Sequence, residues 1–342
     1  MNGYTRRCFG TQDGFYSKET GHSIIIAVSF TRLSTRLSLF LRMPAFPKPE
    51  ILSFPSGQFI PESLFSILIP SWNNLEMLKF CVLSIRENSK YPHQIIVHVN
   101  EGTDGSLEWV KKEGLDYTYS ATNAGVCYSV NAMATLARTE NLLYINDDMY
   151  VCKDWDAALW KVASSYSHRL WYLSGTMIEP SHSKSECVAS PHDFGRDTTT
   201  FMRSELDTFA GKMKRKDWFG ASWPPSLMPK ELFDKVGGYS EEFSPGMYSD
   251  PDFSMKLWQA GVREFRGVGS SLVYHFMSRS TARVKKNNGR KQFAEKWGIP
   301  SSFFYKKYLQ IGRHYRKEKI LTAPGMFPHL IARIKALWIR IR

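Results

Sequence analysis

The chain has 342 residues, enough for one large α/β domain with appendages or for two modest domains. With 43% hydrophobic and 23% charged residues, it is neither a disordered polymer nor a bundle of membrane spans. The net charge of +13 is uneven: +4 over residues 1–60, −6 over 61–278 and +15 over 279–342, so a mildly acidic body, a poor groove for nucleic acid, precedes a basic tail.

In chain order, residues 1–60 read as a poorly structured leader and linker. The apolar run within 23–43 is broken by Arg32 and Arg36 and is too short for a membrane span, which needs about 20 apolar residues. No small-residue cleavage site follows it. The proline-rich stretch 44–57 reads as a linker. From residue 64 a regular alternation sets in. Apolar runs at 64–70, 94–99, 115–120 and 141–147 predict strands, and 75–88, 105–113 and 125–138 predict helices. That alternation implies a mostly parallel sheet covered by helices, with ligands bound beyond the carboxyl ends of the strands. The loops expected there are SWNN (71–74), NEGTDGS (100–106), TNAG (122–125) and NDDM (146–149). No GxGxxG and no P-loop is present, so a nucleotide needs another mode of binding.

Three features carry chemistry. Asn146-Asp147-Asp148 ends a strand with adjacent acids, a pattern that suits a hard divalent ion or, equally, a helix cap by Asp148 or Asp154. Asp250 and Asp252 open an apolar-periodic helix after Gly237-Gly238, as caps or as a general base. His275 ends the strand GVGSSLVYH. The five cysteines, Cys8, Cys81, Cys127, Cys152 and Cys187, lack paired spacing. That argues against a disulfide framework and for a reducing, cytoplasmic setting.

The order SWNN, NEGTDGS, NAG, NDD, GGY with SDPDF, and VYH resembles the family 2 glycosyltransferases over roughly residues 64–276. The resemblance implies a GT-A fold: an α/β nucleotide-sugar-binding domain over residues 61–278, with a basic helical extension over 279–342. It implies an inverting, hexosyltransferase-type enzyme that uses Mn²⁺ or Mg²⁺, takes a nucleotide-diphosphate sugar (a UDP-sugar by default) and acts on a glycan or lipid-linked acceptor in cell-envelope or surface polysaccharide synthesis. Pro70, Ser71, Trp72 and Asn73 would flank the base and ribose; Asn100 and Glu101 would read the base; Asn123 and Gly125 would bracket the nucleotide. Asn146 and Asp147 would approach the ribose, Asp148 and His275 would hold the metal, and Asp250 would be the catalytic base. On the acceptor side stand Trp223, with Trp218, Phe219 and Pro224-Pro225 nearby, and Asp252, which is also the alternative base. Two positions depart from the family pattern: Asn100 stands for the usual Asp, and Ser249 for the common Glu before the base.

A nucleotidyltransferase would need a Gly-rich, basic phosphate loop after the first strand, which SWNN does not supply. A non-catalytic polyanion- or membrane-binding protein has no need of Asp148, Asp250 and His275. At the end of the chain, Phe327, Leu330, Ile331, Ile334, Leu337, Trp338 and Ile341 recur at intervals of three and four, with Arg333, Lys335, Arg340 and Arg342 mainly off that stripe. This is the pattern of an interfacial helix on an anionic cytoplasmic leaflet, or of a stripe docked on the protein's own core. Nucleic acid has no use for an apolar stripe.

Overall fold

The computed structural model describes residues 48–277 and 286–341. Cys8 and the apolar run at 23–43 lie outside the described residues. Chain order runs β1 (Leu52–Phe54), β2 (Ser66–Trp72), α1 (Leu75–Asn88), β3 (Gln94–Asn100), α2 (Ser106–Lys112), β4 (Asp116–Ser120), α3 (Gly125–Ala134) and β5 (Asn141–Tyr144). It continues through β6 (Met149–Val151), α4 (Trp155–Ala163), β7 (Trp171–Ile178), α5 (Arg203–Lys212), β8 (Trp218–Phe219), β9 (Ser226–Pro229), α6 (Lys230–Lys235), α7 (Ser249–Gln259) and β10 (Glu264–His275). A tail of α8 (Gly289–Trp297), the single turn α9 (Ser301–Phe303) and α10 (Met326–Ile341) follows.

One sheet carries the order β1-β4-β3-β2-β5-β9-β7-β10-β6, with β8 also on β10. The pairs β4–β3, β3–β2, β2–β5 and β7–β10 are parallel, while β9 runs against both β5 and β7. Six strands therefore share one direction, and β1, β6, β8 and β9 oppose it. This is a mixed α/β fold with a mostly parallel central sheet, the architecture that the GT-A resemblance implies. Strand order reverses between β2 and β5, so the loops after those two strands diverge and leave a crevice at their carboxyl ends.

The pleat of β2 shows how the sequence builds the layers. Ile67 and Ile69 join the core with Leu78 of α1 and Trp155 of α4, whereas Leu68 joins Val130 of α3 and Phe253 of α7 on the other face. Helix α1 buries Met77, Leu78, Cys81, Val82 and Ile85, a stripe at helical spacing. Strands β3 and β7 are buried along their whole length, as parallel strands covered on both faces require.

Two differences from the sequence reading have clear causes. Within the stretch read as a linker, Leu52–Phe54 adds an antiparallel edge strand to β4, with Phe54 stacked on Tyr117 at 4.7 Å. Three residues are too few to show period-two alternation. The long connection after β7 also contains α5, β8 and β9, and the antiparallel β9 fills the gap between β5 and β7. The tail packs back on the domain, as the aromatic residues Trp297, Phe303, Phe304 and Tyr305 suggest: Phe293, Phe304, Leu309 and Leu321 are fully buried in the same core as Phe253 and Trp258.

Candidate active site

A cavity of about 470 Å³ opens at the carboxyl ends of β2, β5 and β7. It collects the residues expected to hold nucleotide, metal and base except Asn73 and Glu101; on the acceptor side it takes in Trp223 and Pro224 but not Trp218, Phe219, Pro225 or Asp252. Pro70, Ser71, Trp72, Asn100, Asn123 and Gly125 line one part; Asn146, Asp147, Asp148 and His275 another; Trp223, Pro224, Met247 and Asp250 a third.

The switch point is tied by Ser71 Oγ, which donates to Asp147 Oδ2 at 2.8 Å and so joins the ends of β2 and β5. Asn100 ends β3 with its amide already engaged. Its Nδ2 donates to the Ser71 carbonyl (3.0 Å), and its Oδ1 accepts the Ala124 N–H (2.7 Å). His98 supports it from the strand interior, kept neutral by burial that lowers its pKa to about 4. An aspartate at position 100 would place an unneutralised charge in this knot, which gives a physical reason for the amide. Asn73 and Glu101 pair with each other instead of lining the cavity: Asn73 Nδ2 donates to Glu101 Oε2 (3.0 Å), and Asn73 Oδ1 accepts the Thr103 N–H (2.9 Å). Both have left-handed backbones, φ 44° and 62°, so this clamp shapes the two loops that flank the cavity. Gly125, at φ 72°, starts α3 where a Cβ would lie 2.6 Å from Pro245 Cα; only glycine lets the 245–250 loop close on this helix.

Residues 148 and 275 meet through strand register. Strand β6 follows the acidic loop at once and pairs antiparallel with β10, setting Met149 opposite His275, while Phe276 N–H donates to the Asp148 carbonyl (3.1 Å). Asp148 therefore does not cap a helix; Asp154 takes the N-cap position of α4 but makes no side-chain capping bond. His275 Nε2 faces Asp148 Oδ2 at 3.5 Å, and its Nδ1 bonds Glu179 Oε1 at 2.9 Å. Burial opposes the imidazolium, but the hydrogen bonds and charges of Asp148 and Glu179 outweigh it and raise the His275 pKa to about 10. Glu179 was not singled out from the sequence. Its signal was slight, an acid directly after the apolar run of β7, which lies parallel to β10 with Ile178 opposite Tyr274.

Asp250 stands in the first turn of α7 and makes no hydrogen bond to a described residue. Burial alone pushes its pKa up to about 7. The residue is partly exposed where it lines the cavity, and its surroundings are aromatic: Tyr144, Tyr172, Tyr239 and Tyr305 are near enough for its charge to raise their pKa values in addition to burial. Asp252 differs in every respect. It is fully buried, accepts from Trp297 Nε1 (2.8 Å) and pairs with Lys296 Nζ (2.9 Å), so it pins α8 to α7 and stays out of the cavity. The reading of Asp252 as an acceptor contact or alternative base is corrected on that geometry. Of the aromatic residues expected near the acceptor, Trp218 and Phe219 are buried in β8, with Trp218 Nε1 donating to Thr176 Oγ1 (3.0 Å). Trp223 and Pro224 reach the cavity wall.

Residues 66–177 match the family model described as Glycosyl transferase family 2. Over that span, about a third of the chain, the protein is similar to the family 2 glycosyltransferases. The matched span runs from β2 to β7 and contains the switch point and Asp148; Asp250 and His275 lie beyond it. A similar curated protein is the uncharacterized protein y4gI of Sinorhizobium fredii, 23% identical over 232 residues that cover 62% of this chain and 24% of that protein. Similar solved structures include S. aureus TarS 1-349 in complex with UDP, at 16% identity and TM-score 0.45, covering 62% of this chain and 60% of that one. Another is TarS 1-349 with UDP-GlcNAc, at 17% identity and TM-score 0.43, covering 63% and 61%. The chain thus spans about a quarter of the curated relative and about three fifths of these solved chains.

Proposed function

We propose that this glycosyltransferase inverts the anomeric configuration as it moves a sugar from a nucleotide-diphosphate sugar to an acceptor hydroxyl, with Asp250 as base. One observation supports this above the others: an unbonded carboxyl whose pKa is raised to about 7 shares a cavity with the Asp148–His275 pair. A base must accept a proton near neutrality, and a desolvated carboxyl without hydrogen-bond donors is tuned for that.

Among the described residues, no group of three or more His, Cys, Asp or Glu side chains could hold an ion by itself. The donor set still suits Mn²⁺ or Mg²⁺, which take one or two protein ligands and complete their shell with phosphate oxygens and water. Asp148 Oδ2 and His275 Nε2 would hold the ion, which would take the place of the imidazolium proton on Nε2 while Glu179 keeps the other proton on Nδ1. When bound, the ion neutralises the charge that develops on the departing diphosphate.

The protein's own groups do the rest. Ser71, Asp147 and Asn146 hold the ribose side at the switch point, and Pro70, Trp72, Asn123 and Gly125 enclose the nucleotide. Asn100 orders the strand ends, and Asn73 with Glu101 sets the loop between them. The acceptor oxygen bonds to the anomeric carbon while the bond from that carbon to the diphosphate oxygen breaks; the acceptor proton passes to Asp250. Trp223 and Pro224 give the sugar an apolar wall. The donor is read as a UDP-sugar. The acceptor is read as a glycan or lipid-linked glycan of the cell envelope, met at the cytoplasmic leaflet of an anionic membrane through the tail. No described helix is long and apolar enough to cross a membrane.

The test is Asp250→Asn in the full chain. Donor affinity should stay within about threefold, while kcat falls roughly 10²–10⁴-fold, the usual worth of a positioned base. A change confined to KM would assign Asp250 to binding and remove this mechanism.

A further inference from the structure

Helix α10 docks with its small face and leaves its apolar stripe outside. Ala332 and Ala336 are each 1% exposed, and the Arg340 guanidinium donates to the Ala294 and Glu295 carbonyls of α8 at 2.9 and 2.8 Å. Phe327, Leu330, Ile334, Leu337, Trp338 and Ile341 remain between 49% and 82% exposed. The stripe is therefore not part of the protein's own core.

Beside it, α8 and α10 enclose a groove of about 500 Å³. Arg290, Lys291 and Lys335 line it together with Asn288, Ser302 and Trp338. None of the three cations makes an ion pair with a described residue. Three like charges around one groove repel one another unless an anion joins them. Trp338 belongs to both surfaces, so the basic groove passes directly into the apolar stripe. An aromatic residue at such a boundary is typical of the membrane interface.

We propose that this groove takes the phosphate headgroup of an anionic phospholipid while the adjoining stripe enters the bilayer. A second copy of the chain is the poorer occupant, because a symmetric pairing of stripes would set the same basic groove against itself. The groove also connects to the catalytic cavity. Asn287 bonds the Met247 backbone in both directions at 3.1 Å, and a Cβ on Gly289 would lie 2.2 Å from the Met247 carbonyl. Since Met247 lines the cavity beside Asp250, the start of α8 holds the base-bearing loop and the lipid groove on one support.

The proposal rests on the membrane-proximal reading above but not on catalysis, and co-sedimentation of the full chain with vesicles tests the two separately. Wild type should pellet with phosphatidylcholine–phosphatidylglycerol vesicles and far less with phosphatidylcholine alone. The triple variant Arg290→Gln, Lys291→Gln, Lys335→Gln should bind the anionic vesicles roughly a hundredfold more weakly, about fivefold for each basic residue removed from an anionic surface. An equal charge change elsewhere in the tail, Arg313→Gln, Arg316→Gln, Lys317→Gln, should stay within about fivefold of wild type. If the first triple melts early, the exposed Lys335→Gln alone should show its fivefold loss, and Lys335→Arg none. Equal losses in both triples, or none in the first, would overturn the headgroup site while leaving membrane docking intact. Failure of wild type to bind anionic vesicles would remove both.

Discussion

In the mechanism proposed for Asp250, one environment would serve chemistry at the expense of stability. The folded protein holds its proton up to about pH 7, whereas a free carboxyl releases it near 3.8. Between those values the native state binds more protons than the unfolded chain, so this group lowers stability as pH rises from about 4 to 7. The amide of Asp250→Asn bears no such charge. That variant should therefore gain up to about 4 kcal/mol at pH 8, read as a higher melting temperature, while losing turnover. In wild type kcat/KM should fall about tenfold per pH unit below an acid limb near pH 7, since kcat/KM reports the free enzyme's base. A limb near pH 4, or a variant that melts lower, would point to a hydrogen-bonded structural carboxylate. In the proposed metal site Glu179 would act by position, through its bond to His275 Nδ1. Glu179→Gln should weaken Mn²⁺ binding about 10–100-fold, measured by calorimetry with a nucleoside diphosphate present, and lower the melting temperature, because it removes the buried partner of the His275 imidazolium. Unaltered Mn²⁺ affinity would remove its role in orienting His275.

At the level of elements, α7 carries two acids with opposite duties. Asp252→Asn leaves Lys296 without its buried partner and should cost about 2 kcal/mol, because Lys296 retains some solvent and its contact to Glu242 at 2.7 Å. Its kcat per folded molecule should match wild type; a dead but stable variant would restore Asp252 to the chemistry. Composition could not separate Asp250 from Asp252, because both sit in the first turn of one helix and only the placement of Trp297 and Lys296 distinguishes them. Strands β2 to β5 and the helices between them were legible because β2, β3 and β5 centre on apolar runs, β4 carries the strand-favouring Tyr-Thr-Tyr, and each helix buries part of one face. Edge strand β1, the two-residue β8 and antiparallel β9 were not, since their pairing comes from distant partners and not from local pattern. The Asp148–His275 contact was legible as a pair of types, but its cause, the β6–β10 register, was not.

The whole molecule packs α3 and α7, with the tail elements α8 and α10, around one core. The continuity of Phe253 and Trp258 with Phe293, Phe304 and Leu321 explains why residues 279–342 cannot be treated as a detachable anchor. A chain truncated before α8 should lose cooperative unfolding and activity together. A chain truncated before α10 should keep its fold, because that helix buries little beyond Ala332 and Ala336. The most direct measurement is time-resolved proton NMR of the sugar released from a panel of α-linked nucleotide-diphosphate sugars with Mn²⁺ present and water as acceptor. The β-anomer should appear first, and its release should vanish in Asp250→Asn and Asp148→Ala. Initial appearance of the α-anomer, or undiminished release in either variant, would contradict inverting transfer by this site.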